Sequence, residues 1–342
     1  LSPQCSGICI QLKGELHRII AGICVHFKSR FLTIIEMMKG SVMVRKICPL
    51  AAFTAFVVVF FLPACIVAQT LSAGAMHSAL PSPQGTAENN AADINLFGNF
   101  GNNVLDSFRG NNIYLHLSAV AATAIIVDQG VDYDVEHYFN EHAEYGSWAR
   151  PVMFTGEYLP FVAAGSLFAY AKIKNNKEVL GASFAVMQAS LIEILYNSAL
   201  KGITGRPNPD WRHVADMDSL SRTFRLGFLR GGVFWGWPSG HTAMTMAVVS
   251  ALTNYYPNKP WLKVVGYTLA GYTMFGVSAS NRGGMHWLSD AVAGALMSYA
   301  IGSTVGKYYR NASGQTQTSS LQPPANPSMG FNPTGITMTF MF

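Results

Sequence analysis

Two short stretches of this chain hold side chains able to do chemistry. The first reads Trp235-Gly236-Trp237-Pro238-Ser239-Gly240-His241-Thr242. A serine nucleophile, a turn that merely starts a helix, and a backbone cradle for an anion with a histidine beside it are the three readings. A nucleophile elbow needs glycine two residues on either side of the serine, and Trp237 and His241 stand there instead, so the hydrolase reading fails. A Pro-Ser-Gly turn that opens a helix presents unpaired backbone N–H groups, which suit a phosphate-like anion. In the second stretch His286 and Asp290 are four residues apart. On a helix that spacing puts both on one face, where the carboxylate can hold one imidazole nitrogen and leave the other free to attack. Metal binding is the rival, and it lacks a His-Glu-x-x-His pattern or a clustered third ligand. Upstream, Lys201 and Arg206 follow an apolar segment. Singly such residues are interfacial anchors. Beside a phosphate-cradling turn and two histidines, they ask for phosphoryl transfer through a phosphohistidine.

These residues must be positioned by helices. Apolar residues make up 50% of the 342 and charged residues only 12%, about half the usual share. Four long apolar segments, 151–171, 179–200, 264–281 and 287–306, and a shorter one at 241–256 lack the charged face that a water-soluble bundle shows at helical spacing. Lys172, Lys174 and Lys177, then Lys259 and Lys263, then Lys307 and Arg310 fall on one side if every segment spans, and that side is cytoplasmic by the positive-inside rule. The acidic stretch from Asp128 to Glu144 then lies outside, with the loops bearing the chemistry. Gly294, Ser298, Gly302 and Gly306 extend the four-residue ladder of His286 and Asp290, so small residues would bring that helix close to a neighbour. The expected fold is an all-α bundle of about six membrane-spanning helices with the active site at the extracytoplasmic end. A soluble periplasmic helical protein is the alternative. Phe234, Trp235 and Trp237 read as interfacial anchors or as walls of an entry path for a lipid tail.

The net charge of +5 is small and no lysine-rich run appears, which sets nucleic acid aside. All five cysteines lie in the first 65 residues, so cysteine chemistry is excluded from the functional part. Residues 1–37 read as upstream sequence. From Met38 a basic stretch, an apolar run and Ala68-Gln69 lay out a secretory signal over 38–68, cleaved, lipidated or retained as an anchor. Residues 69–111 read as a linker, 112–310 as the helical domain and 311–342 as a disordered tail.

The motif core, 151–308, resembles the type 2 phosphatidic acid phosphatase superfamily, which also holds bacterial acid phosphatases and vanadium haloperoxidases. The family pattern is a Lys, six residues and Arg-Pro; then Pro-Ser-Gly-His; then Ser-Arg, five residues, His, three residues and Asp. Pro238 to His241 complete the second motif, and His286 and Asp290 fit the third. The two family arginines are displaced: Asn208 and Ser280 stand at their positions, with Arg206 and Arg282 two residues away. The resemblance implies a phosphoric monoester hydrolase needing neither metal nor cofactor. His286 would attack phosphorus, Asp290 would orient it, and His241 would protonate the leaving alkoxide and then activate water. Lys201, Arg206, Arg282 and the Ser239 and Gly240 backbone would hold the phosphoryl oxygens. The implied substrate is a lipid phosphate or polyprenyl diphosphate, at the bacterial inner membrane with the site facing the periplasm. A soluble periplasmic phosphatase of broad specificity, a vanadate-dependent haloperoxidase and a catalytically weak lipid-phosphate binder are the rivals.

Overall fold

The computed structural model describes residues 94–210, 214–228, 235–279, 285–314, 329–332 and 335–338. All lie in the second of the two units into which the chain divides, Phe56–Phe342. The expected upstream sequence and signal, 1–68, and the Ser280, Arg282 and Phe234 assignments fall outside the described residues.

The described residues form nine α-helices and one hairpin. They are α1 (Phe100–Asp106), α2 (Asn112–Asp128), α3 (Val131–Glu141), α4 (Gly146–Ile173), α5 (Lys177–Thr204), α6 (Met217–Ser221), α7 (Gly240–Tyr255), α8 (Pro260–Ala279) and α9 (Leu288–Ala312). Among the described residues the structure is all-helical apart from the antiparallel pair Met329–Asn332 and Gly335–Met338, which corrects the expectation that the whole tail 311–342 is disordered. The five apolar segments became α4, α5, α7, α8 and α9. Among the described residues only α5 is by itself long and apolar enough to cross a membrane, while α2 and α3 meet the same measure as a pair bent by 67°.

Local signals set the helix ends. The Asn176 side chain accepts the Val179 N–H at 3.0 Å to start α5. Gly205, at φ +48°, ends it, because a side chain there would be strained and would strike the Arg225–Gly227 backbone. Proline occupies the first position of α8, where its missing N–H costs nothing.

Helix α7 lies at the centre, packed on α4, α5, α8 and α9. Its approach to α9 is set by the small-residue ladder. A Cβ on Gly302 would collide with Ser250 and the Ala247 carbonyl, and one on Gly306 with the Ala251 backbone. Ser250 Oγ donates to the Ser298 carbonyl at 3.3 Å across this seam. The alanines of α5 fill the adjoining core, with Ala182, Ala185 and Ala189 against Tyr255, Ile301 and Tyr309. The buried Tyr255 hydroxyl lies within hydrogen-bonding distance of the Glu178 carbonyl, at 2.6 Å, and of Ser313 Oγ, at 2.9 Å. These bonds bring the start of α5, the end of α7 and the end of α9 to one end of the bundle. The three basic groups therefore share an end, and Lys201, Gly240 and His286 lie at the other.

The linker expectation for 69–111 does not hold from Ile94 onward. Buried Gln188 of α5 donates to the Leu96 carbonyl at 2.7 Å and accepts from Asn103 Nδ2 at 2.5 Å, which fastens this segment to the bundle. Periodicity could not reveal it, because its bonds run to a residue more than 80 positions away.

Gly302→Val should lower stability by about 1–3 kcal/mol through overpacking of the α7–α9 seam. Gly165, whose Cβ position is open, is the control: Gly165→Ala should be neutral or stabilising. Thermal unfolding in detergent measures both, and equal midpoints for the two variants would refute the seam.

Candidate active site

The site lies where the end of α5, the start of α7 and the loop before α9 converge. Pro238 and Ser239 turn the chain into α7. The Ser239 hydroxyl caps the helix by accepting the Thr242 N–H at 3.4 Å, and the Ser239 N–H donates to the Asp290 carbonyl at 2.9 Å. Gly294 makes room for this turn, since a Cβ there would stand 2.7 Å from the Ser239 carbonyl. The two motif stretches are thereby locked together through backbone.

A cleft of about 370 Å³ opens beside this junction. Lys201, Gly240, His241 and His286 line it, joined by Glu157 of α4, Asn197 of α5 and Asn208. The imidazole rings of His241 and His286 have their centres 6.0 Å apart and are inclined at 63°, so both edges border the same cleft. His286 is buried, with Nδ1 3.6 Å from Asp290 Oδ2. That separation is longer than a hydrogen bond, as is common where catalytic contacts tighten only with substrate present. The spacing of His286 and Asp290 in the sequence is thus reproduced in space. It is made by the turn into α9 rather than on a helix face, because α9 begins only at Leu288.

Burial pushes His286 down to about 4, against the opposing pull of Asp290, so its imidazole is neutral over most of the pH range. Burial also lowers His241, while Glu157, with Oε1 3.4 Å from His241 Nε2, favours the charged form. Burial works against ionisation of Asp290, but Arg206 and His286 outweigh it and hold the carboxyl below its usual range. Lys201 Nζ donates to the Trp235 carbonyl and lies at the cleft wall, 4.0 Å from where a Gly240 Cβ would stand.

Two expected phosphate ligands have other roles. Arg206 is fully buried and does not line the cleft. Its Nη1 donates to Ser289 Oγ at 2.7 Å and to Asp290 Oδ1, its Nη2 to Asp132 Oδ2 at 2.6 Å and to the Ser221 carbonyl, and its Nε to that carbonyl at 3.1 Å. A guanidinium has five N–H donors, so none is left for a phosphoryl oxygen. Ser239 is likewise buried away from the cleft with its N–H spent, and of the two cradle residues Gly240 alone reaches the wall. Trp237 is neither anchor nor lipid wall: it is buried and donates Nε1–H to Thr123 of α2 at 2.8 Å.

The sequence reading passed over Asp132, Glu157 and Asn197. Asp132 accepts the Ser289 N–H at 2.8 Å and so anchors the first turn of α9, which places part of the acidic stretch at the same end of the bundle as the cleft. Glu157 carried a usable signal as the one acid of the segment 151–171, since an ionisable residue in such a segment marks function by default. Asn208, where the resemblance places an arginine, lines the cleft with its Oδ1 buried and unpartnered.

With this geometry, the relationships to known proteins take on meaning. The profile of the PAP2 superfamily matches residues 178–313, the stretch from α5 through α9. The chain is also 37% identical over 159 residues to a lipid A 1-phosphatase of Porphyromonas gingivalis, an alignment taking in 42% of this chain and 32% of the relative. The chain therefore spans about a third of that relative's length. No solved structure matches it significantly.

Arg206→Ala should cost about 3–5 kcal/mol, since it leaves two carboxylates buried without their shared cation. A ligand on the cleft wall would instead lose rate with little loss of stability. An unchanged unfolding midpoint for folded Arg206→Ala would return the residue to the phosphate.

Proposed function

We propose that the protein is a lipid phosphatase that hydrolyses phosphate monoesters through a phosphohistidine at His286. The observation that carries the reading is the pair of facing imidazoles in one cleft, one against a carboxylate held by Arg206 and the other at the N-terminus of α7 beside Lys201. The match of α5 through α9 to the PAP2 superfamily profile and the similarity to a lipid A 1-phosphatase support it.

In the proposed reaction the free nitrogen of His286 bonds to phosphorus as the phosphorus–oxygen bond to the alcohol breaks. His241 gives its proton to the departing oxygen. Asp290 then faces a positively charged phosphoimidazole and stabilises it. Water next attacks phosphorus, its proton passes to His241, and the phosphorus–nitrogen bond breaks to release phosphate and neutral His286. Lys201 and the N–H groups heading α7 stabilise charge on the phosphoryl oxygens, which for this chemistry is most of the catalysis.

The substrate class is a phosphorylated lipid, with a lipid A type sugar phosphate among the candidates. Large apolar residues stand exposed on three helices: Phe161 and Val162 on α4, Leu195 on α5, and Val264 and Val265 on α8. Such a surface suits a bilayer, and it favours an envelope enzyme with the site at the outer headgroup level over a soluble phosphatase.

Two outcomes follow. Enzyme incubated with labelled lipid phosphate and quenched should hold an alkali-stable, acid-labile label that His286→Ala abolishes; label on Ser239 would overturn the mechanism. The pH profile of kcat/KM should be acidic. His286 loses nucleophilicity only as pH falls through about 4, and the acid form of His241 is lost as pH rises through a value that burial holds below the ordinary 6.5. An optimum on the alkaline side of neutrality would contradict these assignments.

A further inference from the structure

We propose that Glu157 is the positioning residue of the acid–base histidine, with its carboxylate holding His241 in the protonated form that a leaving alkoxide requires. The inference rests on the phosphatase reading of His241 and extends it to a residue outside the matched segment 178–313.

The geometry is specific. Glu157 belongs to α4 and His241 to the first turn of α7, and the two helices touch at this level because Gly156 has no side chain. A Cβ on Gly156 would stand 2.6 Å from the His241 Cα and would collide with the ring as well. With α4 pressed onto the histidine, the next residue places its carboxylate at the imidazole, Oε1 lying 3.4 Å from Nε2. That nitrogen is closed to solvent and makes no hydrogen bond, so the carboxylate is the group positioned to receive its proton. An imidazolium carries two N–H groups: one is kept by Glu157 and the other is free for the substrate oxygen.

The charges around His241 show why such a partner matters. Lys201 from α5 and His286 from the loop before α9 face it as cations or potential cations, and burial adds to their effect. Each disfavours the imidazolium. Among the described charged groups facing His241, Glu157 from α4 acts in the opposite sense. Without it the acid form would be lost at lower pH, and the alkaline limb of the rate profile would move downward.

The experiment compares two substrates on the purified full chain in detergent. Octyl phosphate has a strongly basic leaving group that needs a proton, whereas p-nitrophenyl phosphate has one that needs little. Glu157→Gln should lower kcat/KM for octyl phosphate on the order of tenfold, part of the usual general-acid contribution, and shift its alkaline limb to lower pH. It should change p-nitrophenyl phosphate hydrolysis by less than about threefold, and Glu157→Asp should restore most of the loss. An unmoved pH profile, or equal loss on both substrates, would overturn the proposal, since a merely structural residue gives the second pattern. His241→Ala, run alongside, separates the two levels. If it is inactive on octyl phosphate while Glu157→Gln behaves as the parent, Glu157 alone is misassigned. If His241→Ala retains parental activity, the acid–base role of the histidine fails and the proposal with it.

Discussion

The arrangement of the site depends on one buried cation shared by two carboxylates. Arg206 sits between Asp132 and Asp290, all three fully buried, and its remaining donors close on Ser221 and Ser289. Such a cluster is costly to bury, and its members are tolerable only while each lone pair and proton has a partner. The requirement makes it a geometric clamp. It ties α3, the loop after α5, α6 and the first turn of α9 to one guanidinium, and so fixes the carboxylate that faces His286. Burial and the neighbouring Asp290 push Asp132 up, toward its neutral form, whereas Arg206 and His286 hold Asp290 below its usual range, so the carboxylate beside His286 is the charged one of the pair. In the proposed mechanism Asp290 then faces a positive charge when His286 becomes a cationic phosphoimidazole.

The second constraint is close helix approach. The ladder Gly294, Ser298, Gly302 and Gly306 lets the α9 backbone lie on α7, and Gly156 lets α4 lie on His241. Interiors are packed too densely to absorb even one methyl group at such crossings. The two histidines, one heading α7 and the other just before α9, consequently hold a separation set by backbone contact, while side chains from α4 and α5 complete the cleft.

How much of this was legible in the sequence follows from the range of the interactions. The convergence of His241, His286, Lys201 and Gly240 on one cleft, with Asp290 behind His286, could be read because each sits in a short motif whose spacing has chemical meaning, and the five helices bearing or flanking them followed from apolar run length. The ladder was read as packing, and it is. Arg206 was read as a phosphate ligand because it stands two residues from the family arginine position, Asn208, and a long side chain was expected to reach across that gap. The partner that claims it, Asp132, lies 74 residues upstream in a stretch whose acids resemble a solvated loop. Ser239 was half legible: as a helix cap it behaves as its type requires, but its N–H goes to the Asp290 carbonyl, a bond that no local pattern announces. Tertiary ion pairs leave no periodic trace.

Removing Arg206 from the phosphate changes how charge in the cleft must balance. A transferring phosphoryl group spreads negative charge over three oxygens. Among the described cleft residues Lys201 is the lysine or arginine present, Asn208 offers a neutral amide where the superfamily pattern has a guanidinium, and the start of α7 adds the partial positive charge of a helix N-terminus. On the proposed mechanism the His241 imidazolium then contributes to charge neutralisation as well as to proton transfer. Losing its proton would cost the site both. This double dependence gives a physical reason for an acid to stand at 3.4 Å from that ring in an otherwise apolar helix segment: Glu157 maintains a cation that the cleft is short of.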